Sequence, residues 1–244
     1  MLIPPQSLIR PYRVTSNAEA ARGIFALTLE PADPENRIPS FEAGQWVYLQ
    51  LSDGIEPLKR PYSMASPPFD VERDHRILLC IKILGGFTGR AHALKAGDEA
   101  GLQGPFGAFT LRAQAPRSVF FAGGIGITPI RSMIRQAHRA NPSMDITLFY
   151  SCRAEEERAF ADEFRILDAR LDAFRLITRP PCVTDPSAPG GFGRVDAEFI
   201  DASVREYADT EFYLCGPADF MDKLVSFLHT RGVAPGRIHT ERFG

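Results

Sequence analysis

What most constrains this chain is a change of pattern near residue 115. Residues 8 to 112 hold short runs of β-branched and aromatic residues: LIRPYRVTS, GIFALTLEP, QWVYLQLS, RPYSMAS, RILLCIKIL and FGAFTL. Pro, Gly and Asp clusters punctuate them, as PADPEN, SDGIEP, SPPFD, KAGD and QGPFG, the signals of strands joined by turns. Many short strands of this kind predict an antiparallel barrel or sandwich. One short helix is expected over residues 89–95, ended by Gly97. Beyond residue 115 strands and helices alternate: SVFFAGG, ITPIRSMIRQAHRA, DITLFYS, EEERAFADEFRILDAR, AFRLITR, EFYLCGP and ADFMDKLVSFLHTR. Ile130, Met133, Ile134 and Ala137 fall on one helical face, as do Met221, Leu224, Val225 and Leu228. Alternation of this type builds a parallel sheet with helices on both sides. The expectation is two domains, an antiparallel β-barrel over 1–114 and an α/β, Rossmann-like parallel sheet over 115–244.

AGGIGITP, residues 122–129, joins a buried strand to a helix N-terminus. Such a turn presents backbone N–H groups at the positive end of the helix dipole, where a phosphate binds readily. Glycine at 123, 124 and 126 lets the backbone approach a ligand without an intervening Cβ. Thr128 suits an N-cap and Pro129 the first helical position. Pro129 also occupies the place of the third glycine of G-x-G-x-x-G, and no Lys-Ser/Thr of a P-loop follows. A plain strand–helix turn fits the same residues. YLCGPADFM repeats the logic at a later strand, and in a doubly wound sheet both turns open onto one crevice beyond the strand ends. Cys215 then stands at its mouth, although a lone cysteine more commonly serves as a small buried hydrophobe.

RPYSMAS, residues 60–66, sets Arg60, Tyr62 and Ser63 on a strand. Alternation puts Arg60 and Tyr62 on one face and Ser63 on the other. The arrangement suits a flat, phosphorylated ligand and equally suits an ordinary strand edge.

The net charge of −2 and scattered arginines give no field for a nucleic acid. No apolar run approaches the roughly 20 residues that span a bilayer, and the N-terminal stretch lacks the layout of a signal peptide. A cytoplasmic protein is expected. Cys80, Cys152, Cys182 and Cys215 are too widely spaced for a zinc or clustered iron–sulfur site, and no metal is expected. The segment PPCVTDPSAPGGFGR, residues 180–194, reads as a binding loop or as a tolerated surface insertion.

Together these motifs resemble the ferredoxin–NADP⁺ reductase superfamily, specifically the flavin-plus-nicotinamide core of bacterial oxygenase reductases and flavohaemoglobins. The resemblance runs from about residue 8 to Gly244 in the family's order. Arg60-Pro61-Tyr62-Ser63 matches the flavin motif R-x-Y-S. Gly86-Phe87-Thr88, followed by Lys95, Gly97 and Asp98, matches a second flavin segment. Gly123 to Pro129 matches G-G-x-G-x-T-P, Cys215-Gly216-Pro217 the C-G-P turn, and Glu241-Arg242-Phe243 the terminal E-x-F.

The resemblance implies a flavoprotein that takes hydride from NAD(P)H onto FAD, with FMN the less favoured flavin, and passes electrons singly to an acceptor. By the same resemblance, Arg60 neutralises the flavin phosphate, Tyr62 packs on the flavin and Ser63 hydrogen-bonds near its N5. Thr88 and the short helix after it would hold further phosphate oxygens, with a helix N-cap as the plainer role for Thr88. Coenzyme pyrophosphate would lie on Gly124 to Thr128, and Cys215 and Gly216 would border the nicotinamide. Phe243 would stack near the flavin ring, and Glu241 would steady the contact, relay a proton, or be a surface carboxylate. Ser151 and Arg153, with Arg158, fit a coenzyme 2′-phosphate; the arginines fit surface pairing with Glu155 to Glu157 equally well. Without a fused [2Fe-2S] ferredoxin segment, the expected partner is a separate ferredoxin, flavodoxin or oxygenase component and the expected state a monomer. The alternative is a flavin-bearing electron-transfer subunit of a larger complex.

Overall fold

The computed structural model describes residues 7–51, 58–178 and 197–242. The segment 180–194, Cys182 and Phe243 lie outside the described residues. The chain divides into two compact units, Met1–Leu111 with Arg131–Gln136, and Arg112–Ile130 with Ala137–Gly244.

In the first unit, β1 (Ile9–Ala21), β2 (Ile24–Pro31), β3 (Trp46–Leu51), β4 (Leu58–Ser63), β5 (Ile77–Lys82) and β6 (Glu99–Phe106) form one antiparallel sheet. Its order is β4-β3-β6-β1-β2-β5. A bridge between Met64 and Leu79 joins the chain leaving β4 to the opposite edge strand, so the sheet closes as a barrel. Alternate residues point inward: Tyr12, Val14, Leu27, Leu29, Val47, Leu49, Leu79 and Leu102 are all buried in one cluster. The short helices α1 (Pro68–Asp74) and α2 (Gly86–Ala93) flank β5 in sequence.

Expectations for this half need correction, the first at SPPFD, which reads as a turn but leads into the helix α1. FGAFTL is not a strand; the strand is β6, seven residues earlier, within EAGLQGPF. QGPFG reads as a turn signal, yet Gly104 lies within β6, where a built Cβ would stand 3.0 Å from Val47 Cγ1 on β3; one on Gly101 would lie 2.8 Å from Ile9 Cγ2 on β1 and 3.2 Å from Gln50 Cβ on β3. Glycine lets the strand pass between two neighbours and is not a break there. The helix expected over 89–95 begins instead at Gly86, for a reason that lies in Thr88.

The second unit is a five-stranded parallel sheet of β7 (Arg117–Gly123), β8 (Asp145–Ser151), β9 (Phe174–Ile177), β10 (Thr210–Gly216) and β11 (Ile238–Arg242). Helices α3 (Ile127–Ala140), α4 (Ala161–Arg170), α5 (Ala197–Ser203) and α6 (Ala218–Thr230) connect or follow the strands. The order β9-β8-β7-β10-β11 reverses between β7 and β10. Ligands of open parallel sheets sit at that reversal, beyond the carboxyl ends of the strands. The predicted apolar faces pack inward: Ile130, Met133, Ile134 and Ala137 on α3 are buried, as are Met221, Leu224 and Leu228 on α6, with Val225 partly buried against the same cluster. The edge strand β11, short and rich in polar residues, carried no sequence signal. Among the described residues no helix is long and apolar enough to cross a membrane.

Candidate functional site

In the barrel, β4 runs antiparallel to β3 with Arg60 opposite Leu49, Tyr62 opposite Val47 and Ser63 opposite Trp46. Cross-strand partners share a face, so Arg60 and Tyr62 lie together and Ser63 lies on the reverse, as alternation predicts. Tyr62 packs on the barrel core, and its ring stacks with that of Phe87 at 6.2 Å and 21°. Burial pushes the Tyr62 phenol up to about 12, although the Arg60 charge pulls the other way. The exposed Arg60 guanidinium lies 5.8 Å from the Phe87 centroid and donates to the Lys59 carbonyl at 2.9 Å. It has no ion-pair partner among the described residues. Pro61 is exposed and Ser63 buried.

Phe87 belongs to the first turn of α2, and Thr88 explains where that helix starts. The N–H groups of Leu84 and Gly85 donate to Thr88 Oγ1 at 2.9 and 3.0 Å. The hydroxyl in turn donates to the Gly85 carbonyl at 3.0 Å. Gly89 N–H bonds the Gly85 carbonyl at 2.8 Å and closes the first helical turn. Thr88 therefore sits inside the helix and staples the approach to it; it is not the N-cap. The next three N–H groups, of Gly86, Phe87 and Thr88, make no hydrogen bond among the described residues. Open N–H groups at a helix start attract an anion. A guanidinium, two near-parallel rings and three open N–H groups thus converge, and they fit a phosphorylated aromatic group. Sequence reading missed the staple; its signal was a threonine three residues after Gly85, the spacing of reciprocal helix-start bonds.

The second unit assembles its own site at the strand reversal. Cys215 on β10 lies opposite Ala122 on β7, so the turns following both strands abut. A Cβ on Gly126 would stand 2.1 Å from the Cys215 carbonyl oxygen, and one on Gly123 would stand 2.8 Å from Pro217 Cδ and 3.3 Å from Gly216 Cα. At both positions contact between the turns by itself requires glycine. Gly124 has φ +54° and nothing within 4 Å of a built Cβ. It is the glycine whose freedom faces open space. Thr128 is the second residue of α3, not its cap, and donates to the Ile125 carbonyl at 2.9 Å. Cys215 is fully buried. Burial, with Glu241 adding to it, pushes its thiol well above the ordinary range. A neutral thiol of this kind is no nucleophile. Glu241, half-buried on β11, is the register partner of Cys215, and Arg242 that of Gly216.

Ser151 closes β8 beside Gly123. Its hydroxyl is buried without a hydrogen-bond partner among the described residues. Arg153 is exposed and has neither hydrogen bond nor ion pair among the described residues. Arg158 differs from it. It is buried, with its guanidinium 3.6 Å from Glu155 and 5.9 Å from the Tyr150 centroid. Among the described residues no three His, Cys, Asp or Glu are grouped to hold a metal ion.

Residues 120–226 match the family model described as an oxidoreductase NAD-binding domain. The chain is 31% identical to a flavohemoprotein of Rhodopirellula baltica, over 96% of this chain and 60% of that protein. It is 32% identical to the phthalate 4,5-dioxygenase oxygenase reductase subunit of Pseudomonas putida, over 95% of this chain and 66% of that one. The crystal structure of the Amycolatopsis cytochrome P450 reductase GcoB superposes with a TM-score of 0.78 at 26% identity, covering 97% of this chain and 71% of that one. The chain spans less than two thirds of the length of these two curated relatives.

Proposed function

The chain belongs to the ferredoxin–NADP⁺ reductase superfamily, and from that premise we propose that it is a flavin-dependent NAD(P)H oxidoreductase serving a separate redox protein. The observation that carries the reading is the convergence of Arg60, Tyr62, Phe87 and the open N–H groups of residues 86–88 at the start of α2. When bound, FAD would supply the chemistry of a two-electron hydride acceptor that can return electrons singly. Everything else is the work of the chain.

Arg60 holds the flavin phosphate as a fixed planar cation. Tyr62 offers a ring that keeps its proton through neutral pH, and Ser63 a hydroxyl at the end of β4. Gly123, Gly124, Gly126 and Thr128 shape the turn that takes the coenzyme pyrophosphate. Gly216 and Pro217 complete it from β10, and buried Cys215 supplies a small, uncharged wall. Glu241 borders this turn from β11, and Phe243 is given its place beside the flavin ring by the family resemblance alone. The flavin unit is residues 1–114 and the coenzyme unit 115–244. Arg153 meets the 2′-phosphate of NADPH, because it is the arginine at the end of β8 with no partner among the described residues. The acceptor is a ferredoxin, a flavodoxin or an oxygenase component, in line with the Pseudomonas putida relative, which is an oxygenase reductase subunit. The protein works as a cytoplasmic monomer, a compartment suited to the buried thiols Cys80, Cys152 and Cys215.

The test is steady-state oxidation of NADH and NADPH with an artificial one-electron acceptor, with the released flavin identified by chromatography. FAD is expected, with turnover that depends on it. For Arg153→Leu the ratio of kcat/KM for NADPH to that for NADH falls about tenfold, the worth of one charged hydrogen bond. Protein without flavin absorbance, and without NAD(P)H oxidation after flavin is added back, contradicts the proposal. An unchanged coenzyme ratio removes Arg153 from it.

A further inference from the structure

We infer that Arg131 and Ser132, in the middle of α3, are positioning residues for the flavin strand: they hold the backbone where the chain leaves β4, two and three residues beyond Ser63. The inference rests on the proposed function and deepens it.

Ser132 lies outside the apolar face that Ile130, Met133, Ile134 and Ala137 make on α3, yet it is fully buried. A buried hydroxyl costs free energy unless it is bonded, and inside a helix it commonly turns back to a carbonyl of the preceding turn. Ser132 instead donates across to the Ser66 carbonyl at 3.0 Å. Beside it, the Arg131 guanidinium donates to the Ala65 carbonyl at 2.8 Å. Met64, Ala65 and Ser66 are themselves buried. The two carbonyls have no other partner among the described residues, so without α3 they would be buried acceptors left open. The rest of the segment is bonded into the barrel. Met64 N–H donates to the Gln45 carbonyl at 3.1 Å, Ala65 N–H to the Leu78 carbonyl at 2.8 Å, and Leu78 N–H to Ser66 Oγ at 3.1 Å. The donors on α3 supply the last bonds that fix residues 64–66.

Two further contacts seat the same stretch of helix. Arg135 donates to Asp70 Oδ2 on α1 at 2.9 Å. Met133 lies against Gly44, where a built Cβ would stand 2.3 Å from Met133 Cε, and the next residue is the Gln45 that holds Met64. Arg131–Gln136 accordingly count with the first unit, whereas Ile127–Ile130 count with the second. One helix is common to both, and about one turn separates Thr128, in the coenzyme turn, from Ser132. Hydride transfer is steeply sensitive to placement, about 100-fold for a shift of about 1 Å, so loosening this seat slows the transfer without removing a ligand contact.

The test uses Arg131→Met, which keeps an unbranched side chain but loses the donors, Arg131→Lys, which returns a donor, and Ser132→Ala. The first readout is amide hydrogen exchange in flavin-free protein. Met64 and Ala65 exchange about tenfold faster in Arg131→Met and in Ser132→Ala, the loss of roughly one hydrogen bond, while the amides of β1 and β2 keep wild-type protection. The second is the anaerobic reduction of flavin-loaded protein by coenzyme. In both variants the limiting rate of flavin bleaching falls about tenfold and the affinities for FAD and coenzyme stay within about twofold. Arg131→Lys recovers most of the rate. Ser132→Ala, the removal of one oxygen, carries both readouts should Arg131→Met not fold. An unchanged limiting rate overturns the inference, and so does unchanged exchange at Met64 and Ala65. A rate lost together with FAD affinity, or exchange raised throughout the barrel, shows a general structural role and overturns it as well. Wild type that binds no flavin, or whose flavin neither coenzyme bleaches, ends the functional reading itself and is seen without any variant.

Discussion

Two glycine-rich turns lead into helices in this molecule, and they use glycine for opposite reasons. Before α2, Cβ atoms built on Gly85, Gly86 and Gly89 meet nothing within 4 Å. Before α3, Gly123 and Gly126 are pressed against the neighbouring C-G-P turn, and only Gly124 faces open space. In both, a threonine hydroxyl donates to the carbonyl three residues back, Thr88 to Gly85 and Thr128 to Ile125. The first turn is open and held by a side chain. The second is closed and held by backbone against backbone. A motif of glycines and a threonine thus tells where an anion fits, but not which glycines the fold itself requires.

The contrast is most easily broken by substitution. Gly126→Ala forces a methyl to 2.1 Å from the Cys215 carbonyl oxygen, a backbone atom with nowhere to go. It is expected to destabilise the second unit by about 3 kcal/mol, the upper range of overpacking, measured as a denaturation midpoint. Gly89→Ala at the open turn gains about 0.5–1 kcal/mol through helix propensity. Equal costs at the two positions would erase the distinction. Next in size, Arg60→Ala removes the charged partner of the first turn. Flavin affinity falls about 10- to 100-fold while the fold stays intact, since the lost contacts are hydrogen bonds to a charged group. A variant retaining its flavin fully would detach Arg60 from the site.

The smallest effect concerns Tyr62. Its phenol, pushed up to about 12 by burial, stays protonated in the folded chain after an unfolded tyrosine has ionised near 10. Between those values the unfolded state binds fewer protons, so stability falls as pH rises through that window. Tyr62→Phe keeps the ring and flattens that part of the stability–pH curve. An ultraviolet titration that ionises Tyr62 near pH 10 would show that its ring is not held against Phe87 and the core.

Much of the fold was legible because period and punctuation agree with packing. The apolar residues of α3 and α6 recur every three or four positions and pack into the core, with only Val225 partly exposed. β6 was not legible, because QGPFG reads as a turn, whereas Gly101 and Gly104 are demanded by neighbouring strands that a linear reading does not bring near. The candidate site was legible as motifs and not as geometry. Arg60 and Phe87 lie far apart in sequence and meet only through the curvature of the barrel. The separation of Arg153 from Arg158 was likewise invisible, since both are arginines among glutamates until one is seen buried against Tyr150.

The proposed function requires that a flavin bound by this chain be reduced by hydride transfer from a nicotinamide. An anaerobic stopped-flow mixing of the flavin-loaded protein with a stoichiometric amount of NADPH or NADH tests it in a single turnover. The visible absorbance of the flavin is expected to bleach in one saturable phase with at least one of the coenzymes. A bound flavin whose spectrum is unmoved by either, yet bleaches with dithionite, would contradict it.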